Sequence, residues 1–348
     1  MPPAHLRQRV LSGDRPTGRL HLGHLVGSLR NRVALQSQHD TILLIADLHV
    51  LATKPDGGVR THLAANVHGI VLDYLVSGID PAHTSIVLQS AVPEVCELKT
   101  LFEHLVTVNR LARIPTLKQM ARDAHLDEQA MPFGLLGYPV LQAADILLAR
   151  AQLVPVGRDN VAHVEVTREI ARRFNNLYGE VFPEPEPVLS EVPALVGTDG
   201  KGKMSKSAGN AIFLCDDAPA VAAKVRGMYT DPKRIHADIP GTVEGNPVFI
   251  YLDLFDDDRA EVADLTARYR AGRVGDGEVK ERLTRTLDRF LDPIRSRMAA
   301  AAAMPQVVDE ILWNGTQRMR RIAVETMQAV REAVGLPQLR PPSVPEVH

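Results

Sequence analysis

Apolar residues follow two rhythms along this 348-residue chain. In the first half, short runs with consecutive apolar residues and no polar alternation alternate with stretches whose apolar positions return every three or four residues. Arg9-Val10-Leu11, Thr41 to Ala46, Thr84 to Gln89 and Gln152 to Val156 are the short runs. A run without a polar face suits a strand buried on both sides, as in a parallel sheet. Leu22, Leu25, Val26 and Leu29 then repeat at helical spacing, as do Val59, Leu63, Val67, Ile70, Val71, Tyr74 and Leu75. Strand, helix, strand, helix, strand predicts βαβ units. Residues 94–131 break the rhythm and read as a helical insertion. A charge-poor, flexible loop follows up to Pro139, and Pro183, Pro185, Pro187 and Pro193 mark irregular chain. From Asp216 onward only helical stripes remain, over 218–228, 258–271, 278–303 and 305–334, and the proline-rich end after Leu336 reads as disordered.

Composition narrows the class. At 45% hydrophobic the chain can bury a large core and divides most naturally into two domains. Its 40 basic and 42 acidic residues nearly cancel, so a nucleic-acid partner must meet a local basic patch. Two cysteines, Cys96 and Cys215, are too few for a disulfide framework or a four-cysteine metal site. Met1 to Gln8 lacks the apolar run of a signal peptide, and no stretch reaches the ~20 apolar residues of a membrane span. A soluble, cytoplasmic protein is the expectation.

Candidate chemistry sits where runs end. After the turn-rich Ser12-Gly13-Asp14-Arg15-Pro16-Thr17-Gly18, His21-Leu22-Gly23-His24 opens a helix. Backbone N–H groups and imidazoles there suit a phosphate, and Gly23 permits close approach, although such a pair taken alone is more often a capping or core feature. Asp47 and His49 follow the second strand, the sheet edge where ligands bind, or serve as cap and loop residue. Tyr138-Pro139 leads into a helix whose Gln142 and Asp145 sit among apolar neighbours. A carboxylate there needs a donor, either the protein's own or a ligand's. Gly157, Arg158, Asp159 and Asn160 form a strand-to-helix turn. Lys118, by composition alone, is a solvent-facing lysine. The loop Lys203-Met204-Ser205-Lys206-Ser207 sets lysines and hydroxyls among glycines, a mobile clamp for polyphosphate or an exposed basic linker. Arg318, Arg320, Arg321 and Arg331 make a basic face, solvated or in contact with nucleic acid.

Together the two motifs resemble the paired signature of class I aminoacyl-tRNA synthetases. The text around them is more similar still to the tryptophanyl-tRNA synthetase family, over roughly residues 9 to 335, in the manner of a divergent second bacterial type. The resemblance implies a Rossmann-type doubly wound α/β catalytic domain over 1–212, with its insertion at about 94–137. It implies a helical anticodon-recognition region over 213–335, with its last helix able to pack back on the catalytic domain, and a homodimer. It assigns His21, His24, Lys118, Lys203 and Lys206 to catalysis. ATP falls to Arg15, Pro16, Thr17, Gly23, His24, Gly157, Arg158, Asp159 and Lys203 to Ser207, with magnesium carried by the nucleotide and no dedicated metal site. Tryptophan falls to Asp145, Tyr138, His49, Gln142 and Asn160. Gln142 stands where many bacterial relatives carry methionine and Asn160 where many carry glutamine, and Gln142 brings the pocket nearer to tyrosyl-tRNA synthetases.

The amino acid follows from donors and acceptors. Tyrosine-specific relatives satisfy the phenol with a tyrosine from the first strand, whereas this chain's first tyrosine is Tyr74 and Leu11 stands near that place. An indole N–H needs only an acceptor, and Asp145 alone supplies one. Activation of L-tryptophan and its transfer to tRNA(Trp) is therefore the expectation. The alternatives are a tyrosyl-tRNA synthetase and a tryptophan-binding paralogue acting as sensor or partner protein.

Overall fold

The computed structural model describes residues 7–53, 61–123, 131–157, 160–189 and 194–337. Five parallel strands, β1 (Arg9–Asp14), β2 (Asp40–Ile45), β3 (Thr84–Leu88), β4 (Leu153–Val156) and β5 (Glu186–Leu189), form one sheet in the order β3-β2-β1-β4-β5. Alternate residues of β2 feed opposite cores. Leu43 and Ile45 pack on one side with the first helix and the later helices, and Ile42 and Leu44 on the other with Glu94–Glu103, Tyr138–Leu148 and Val161–Tyr178. That two-sided burial is why the centres of these runs are apolar without alternation.

Chain direction across the sheet reverses at β1. To one side β1 pairs with β2 over its whole length, from Arg9 opposite Asp40 to Asp14 opposite Ile45. To the other it pairs with β4 at a single position, Val10 opposite Leu153. Beyond that point the two strands part, and a crevice opens at their C-terminal ends, the switch point of a doubly wound sheet.

Five elements differ from the pattern-based expectation. Ser12, Gly13 and Asp14 continue β1, because full pairing with Leu43 to Ile45 overrides their turn propensity, and the turn starts only at Arg15. The proline-rich stretch contains β5. Pro187 sits opposite Val154 on an outer strand, where a missing N–H is tolerated. Phe133–Leu136 is a helical turn rather than a loop, and Asp47–Thr53 is a helix that places His49 on it. Asn246 caps a further helix, Pro247–Phe255, by accepting from the Val248 N–H at 3.0 Å.

The 30-residue last helix, Pro305–Val334, runs along β3, the strand at the other edge, and covers it. Val308 and Leu312 join one core, Met319, Ala323, Met327 and Val330 the other. Contact is backbone-close at Gly315, where a Cβ would lie 2.1 Å from the Ile86 carbonyl oxygen. The Thr316 hydroxyl accepts from the Leu88 N–H at 3.1 Å. The C-terminal arginines belong to this attachment. Arg318 donates to Ser85 and Asp40, Arg320 to Glu94 and Arg331 to Glu97. These three side chains are therefore occupied by the sheet and the helix Glu94–Glu103, and do not form a free basic face. The tail from residue 338 lies outside the described residues. Among those described, no helix is long and apolar enough to cross a membrane.

Candidate active site

The crevice between β1 and β4 is a cavity of about 280 Å³. Leu11 to Asp14 of β1 and Val154 to Val156 of β4 form its walls, and Arg15, His49, Tyr138, Gln142, Asp145, Gly157 and Asn160 face it. Seven residues singled out along 145 positions of sequence thus meet in one place. Larger hollows of about 470 and 420 Å³ open elsewhere, and neither is lined by a residue of either motif. Arg158 and Asp159 lie outside the described residues.

Asp145 ends the polar part of the cavity. The helix Tyr138–Leu148 buries it among Val140, Leu141, Ala144 and Leu148, and two side chains meet it there. The Gln89 amide donates to both carboxylate oxygens, at 2.9 and 2.8 Å, and the His49 Nε2 lies 3.0 Å from Oδ2. A carboxylate has room for about four such bonds, so acceptor capacity remains toward the cavity. The protein's own donors and a ligand's donor are therefore compatible at this group. The Tyr138 ring packs on His49, with centroids 4.3 Å apart. Burial pushes the Tyr138 hydroxyl above its ordinary pKa, so the ring is neutral. Gln142 is oriented from behind. Its Oε1 lies 2.9 Å from His163 Nδ1, whose Nε2 lies 3.1 Å from the Thr116 hydroxyl. Thr116 shares the helix Pro115–Asp123 with Lys118, which stands apart from the cavity walls.

In the cavity wall, Asp14 accepts from Arg32 at 2.5 Å and, from behind, from the Tyr74 hydroxyl at 2.7 Å. Burial alone raises the Asp14 carboxyl, but Arg32, His24 and Tyr74 outweigh it and hold the group well below the usual carboxylate range. Tyr74 is thus engaged behind the cavity and is not among its walls.

The two sequence motifs, far apart in the chain, touch. Met204 packs on Gly23, whose N–H points at its sulfur at 3.3 Å. A Cβ on Gly23 would sit 3.0 Å from the His21 ring and 3.3 Å from the Met204 Cβ, so any larger residue would push the ring and the loop back by a few tenths of an ångström. The Lys206 ammonium donates to the Gly18 carbonyl at 2.7 Å and lies 3.4 Å from the Thr17 hydroxyl. Lys203 and Ser207 are exposed at the loop's surface, while Ser205 and Ser207 share a 2.9 Å hydroxyl contact. Buried Asn210 braces the loop, accepting from the Ser205 N–H at 2.8 Å and donating to Asp199 at 3.0 Å.

The histidine pair is compact. Ring centroids of His21 and His24 are 3.8 Å apart, and the His21 N–H donates to His24 Nδ1 at 3.2 Å. Burial first, then His24 and Lys206, lowers His21 to about 3. Burial first, with Lys206 and Arg32 adding to it, lowers His24 to about 4 against the pull of Asp14. Both imidazoles are neutral at pH 7, so they offer directed hydrogen bonds rather than full positive charge. After His24 the helix widens into a π-helical stretch, Leu25–Leu29, which presents Gly27 and Ser28 to the cavity.

Sequence reading missed Gln89, His163, Thr116 and Asn210. Gln89 ends the third apolar run, and an amide at a strand's C-terminal end was the one signal available. His163 and Thr116 carried none, because their partners are 21 and 47 positions apart in the chain.

A parallel sheet that opens at its switch point onto a buried carboxylate, with a histidine pair closed over by a lysine–serine loop, is the arrangement that the resemblance to nucleotide-dependent class I synthetases implies. The family model for class I tRNA synthetases of the W and Y type matches residues 4–292, and the chain belongs to that family. Tryptophan members of the family are among the relatives it resembles. It is 61% identical to a tryptophan–tRNA ligase of Treponema pallidum over 94% of this chain and 97% of the relative. It is 53% identical to that of Chlamydia caviae over 95% and 96%. Among solved structures, tryptophanyl-tRNA synthetase of Campylobacter jejuni complexed with ADP and tryptophan superposes with a TM-score of 0.84 at 34% identity, covering 94% of this chain and all of that one.

Proposed function

We propose that this chain joins L-tryptophan to ATP, forming tryptophanyl-adenylate and pyrophosphate, and then transfers the tryptophanyl group to tRNA(Trp). The observation that carries this reading is the character of the cavity's inner end. Asp145, framed by Gln89 and His49, offers lone pairs, and the β1 wall beside it presents Leu11 and no tyrosine. An indole N–H matches such an end.

In the first step the tryptophan carboxylate attacks the α-phosphorus of Mg-ATP, and the α–β bridging oxygen leaves with pyrophosphate. No side chain need act as a strong acid or base, because positioning and charge stabilisation carry most of the rate. His49, Tyr138, Gln142 and Asn160 hold the amino acid beside Asp145. Arg15 to Thr17, Gly157, Arg158 and Asp159 hold the nucleoside. His21 and His24 hydrogen-bond the phosphates across Gly23. Lys203, Lys206 and Ser207 stabilise the departing pyrophosphate, with Lys118 on the triphosphate. For Lys206 this means exchanging the Gly18 carbonyl for a phosphate oxygen as charge builds up. In the second step a ribose hydroxyl of the tRNA's terminal adenosine attacks the acyl carbon, and AMP leaves.

We assign residues 1–212 to the catalytic domain and 213–335 to anticodon recognition. We also assign a homodimer, for which Leu51, Val108 and Phe133, exposed on neighbouring elements around the insertion, provide an apolar surface. ATP–pyrophosphate exchange, run in parallel with tryptophan and tyrosine, tests the reading. Exchange with tryptophan alone is expected. Exchange with tyrosine alone would overturn the specificity, and exchange with neither would overturn the enzyme.

A further inference from the structure

We infer that Gln89 is the positioning residue that sets the cavity's demand for a ring N–H, by holding Asp145 with its remaining lone pairs turned inward. The inference rests on Asp145 being the indole acceptor. Gln89 lies in the turn after β3 and is 1% exposed, so its amide has no water to satisfy it. Its Oε1 accepts the Leu48 N–H at 3.0 Å. That bond fixes which way the amide faces. With the oxygen taken by backbone, only Nε2 can meet Asp145, and it spans both oxygens at 2.9 and 2.8 Å. His49 adds a contact at 3.0 Å to Oδ2 alone.

These contacts restrain the carboxylate in different ways. A contact to one oxygen leaves the group free to swing about it, whereas a donor bridging both oxygens fixes its plane. The lone pairs that Gln89 and His49 leave open are then those facing the cavity, and a ring that brings a hydrogen there completes the set. A ring of the same shape without that hydrogen leaves a buried acceptor unpaired, which is the costly outcome. Gln89 touches no ligand in this account. It acts through Asp145 from an element 56 positions away.

The test compares tryptophan with β-(3-benzothienyl)alanine, in which sulfur replaces the indole N–H, by pyrophosphate exchange in the wild type, Gln89→Met and Gln89→Glu. The wild type is expected to prefer tryptophan strongly. In Gln89→Met that preference falls by roughly tenfold or more, through the KM for tryptophan, while values for the analogue and the KM for ATP stay within about threefold. An equal loss for both amino acids would make Gln89 a structural residue only, and an unchanged preference would remove any role; either overturns the inference. If Gln89→Met melts early, Gln89→Glu decides. It keeps the shape and the acceptor for the Leu48 N–H, replaces the donor with a second carboxylate, and must show the same collapse of preference. Failure of the functional reading is seen separately, in the unmutated protein, as exchange with tyrosine in place of tryptophan.

Discussion

The inner and outer ends of this site are built on opposite terms. At the inner end Asp145 and Gln142 are each held by fixed partners. Gln89 and His49 hold Asp145, and His163 holds Gln142 with Thr116 behind it. At the outer end the contacts are provisional. A thioether rests on a glycine, a lysine is parked on a carbonyl, and two imidazoles are kept neutral by burial. Recognition of a neutral ring benefits from rigid, presatisfied geometry, because an unmatched group then stays unpaired. Stabilising a phosphate whose charge changes during the reaction calls for groups that can trade one partner for another.

If that contrast is real, the two ends separate in kinetics. The largest effect belongs to the outer end. Lys206→Ala is expected to lower the single-turnover rate of adenylate formation by roughly 10²–10³-fold while tryptophan affinity, read by calorimetry, holds. Equal losses in rate and affinity would erase the distinction. Next comes the inner end, where Asp145→Asn should cost about 10²-fold in kcat/KM for tryptophan with little change in the KM for ATP. A smaller effect is expected from Asn210→Ala, which removes the brace of the lysine–serine loop. A loss of about tenfold in exchange rate, with tryptophan affinity unchanged, would place the brace with the outer end.

The smallest effect concerns pH. His21 and His24 titrate near 6.5 when unfolded, and at about 3 and about 4 in the folded protein. Between those limits the unfolded chain binds more protons, so these groups contribute stability above about pH 6.5 that is lost as pH falls toward 4. Melting temperatures measured from pH 7 to 4 should fall more steeply for the wild type than for His21→Gln/His24→Gln. Parallel curves would mean that the imidazoles are not held neutral by the fold.

How far each end was legible in the sequence follows the same division. The outer end was readable because its chemistry is local: His21 to His24 and Lys203 to Ser207 are contiguous, and their composition states their charge and flexibility. The inner end was half readable. Asp145 stood out as a carboxylate among apolar neighbours, but its partner Gln89 is an unremarkable amide. The same holds away from the site. Arg318, Arg320 and Arg331 share a helix and read as a surface, although each is taken up by a residue more than 200 positions earlier. Pro187 read as irregular chain because propensity knows nothing of an outer strand.

The sequence by itself determined the elements, since strands buried on both faces and amphipathic helices write their periodicity directly into the chain. It also determined the two phosphate motifs, since their residues are neighbours in order as well as in space. Only the tertiary structure decided that β1 and β4 part after a single pairing to open the cavity, that Met204 closes on Gly23, and which lone pairs of Asp145 are left for a ligand. Each of those is a relation between residues distant in the chain, and a local pattern carries no record of the partner that folding will supply.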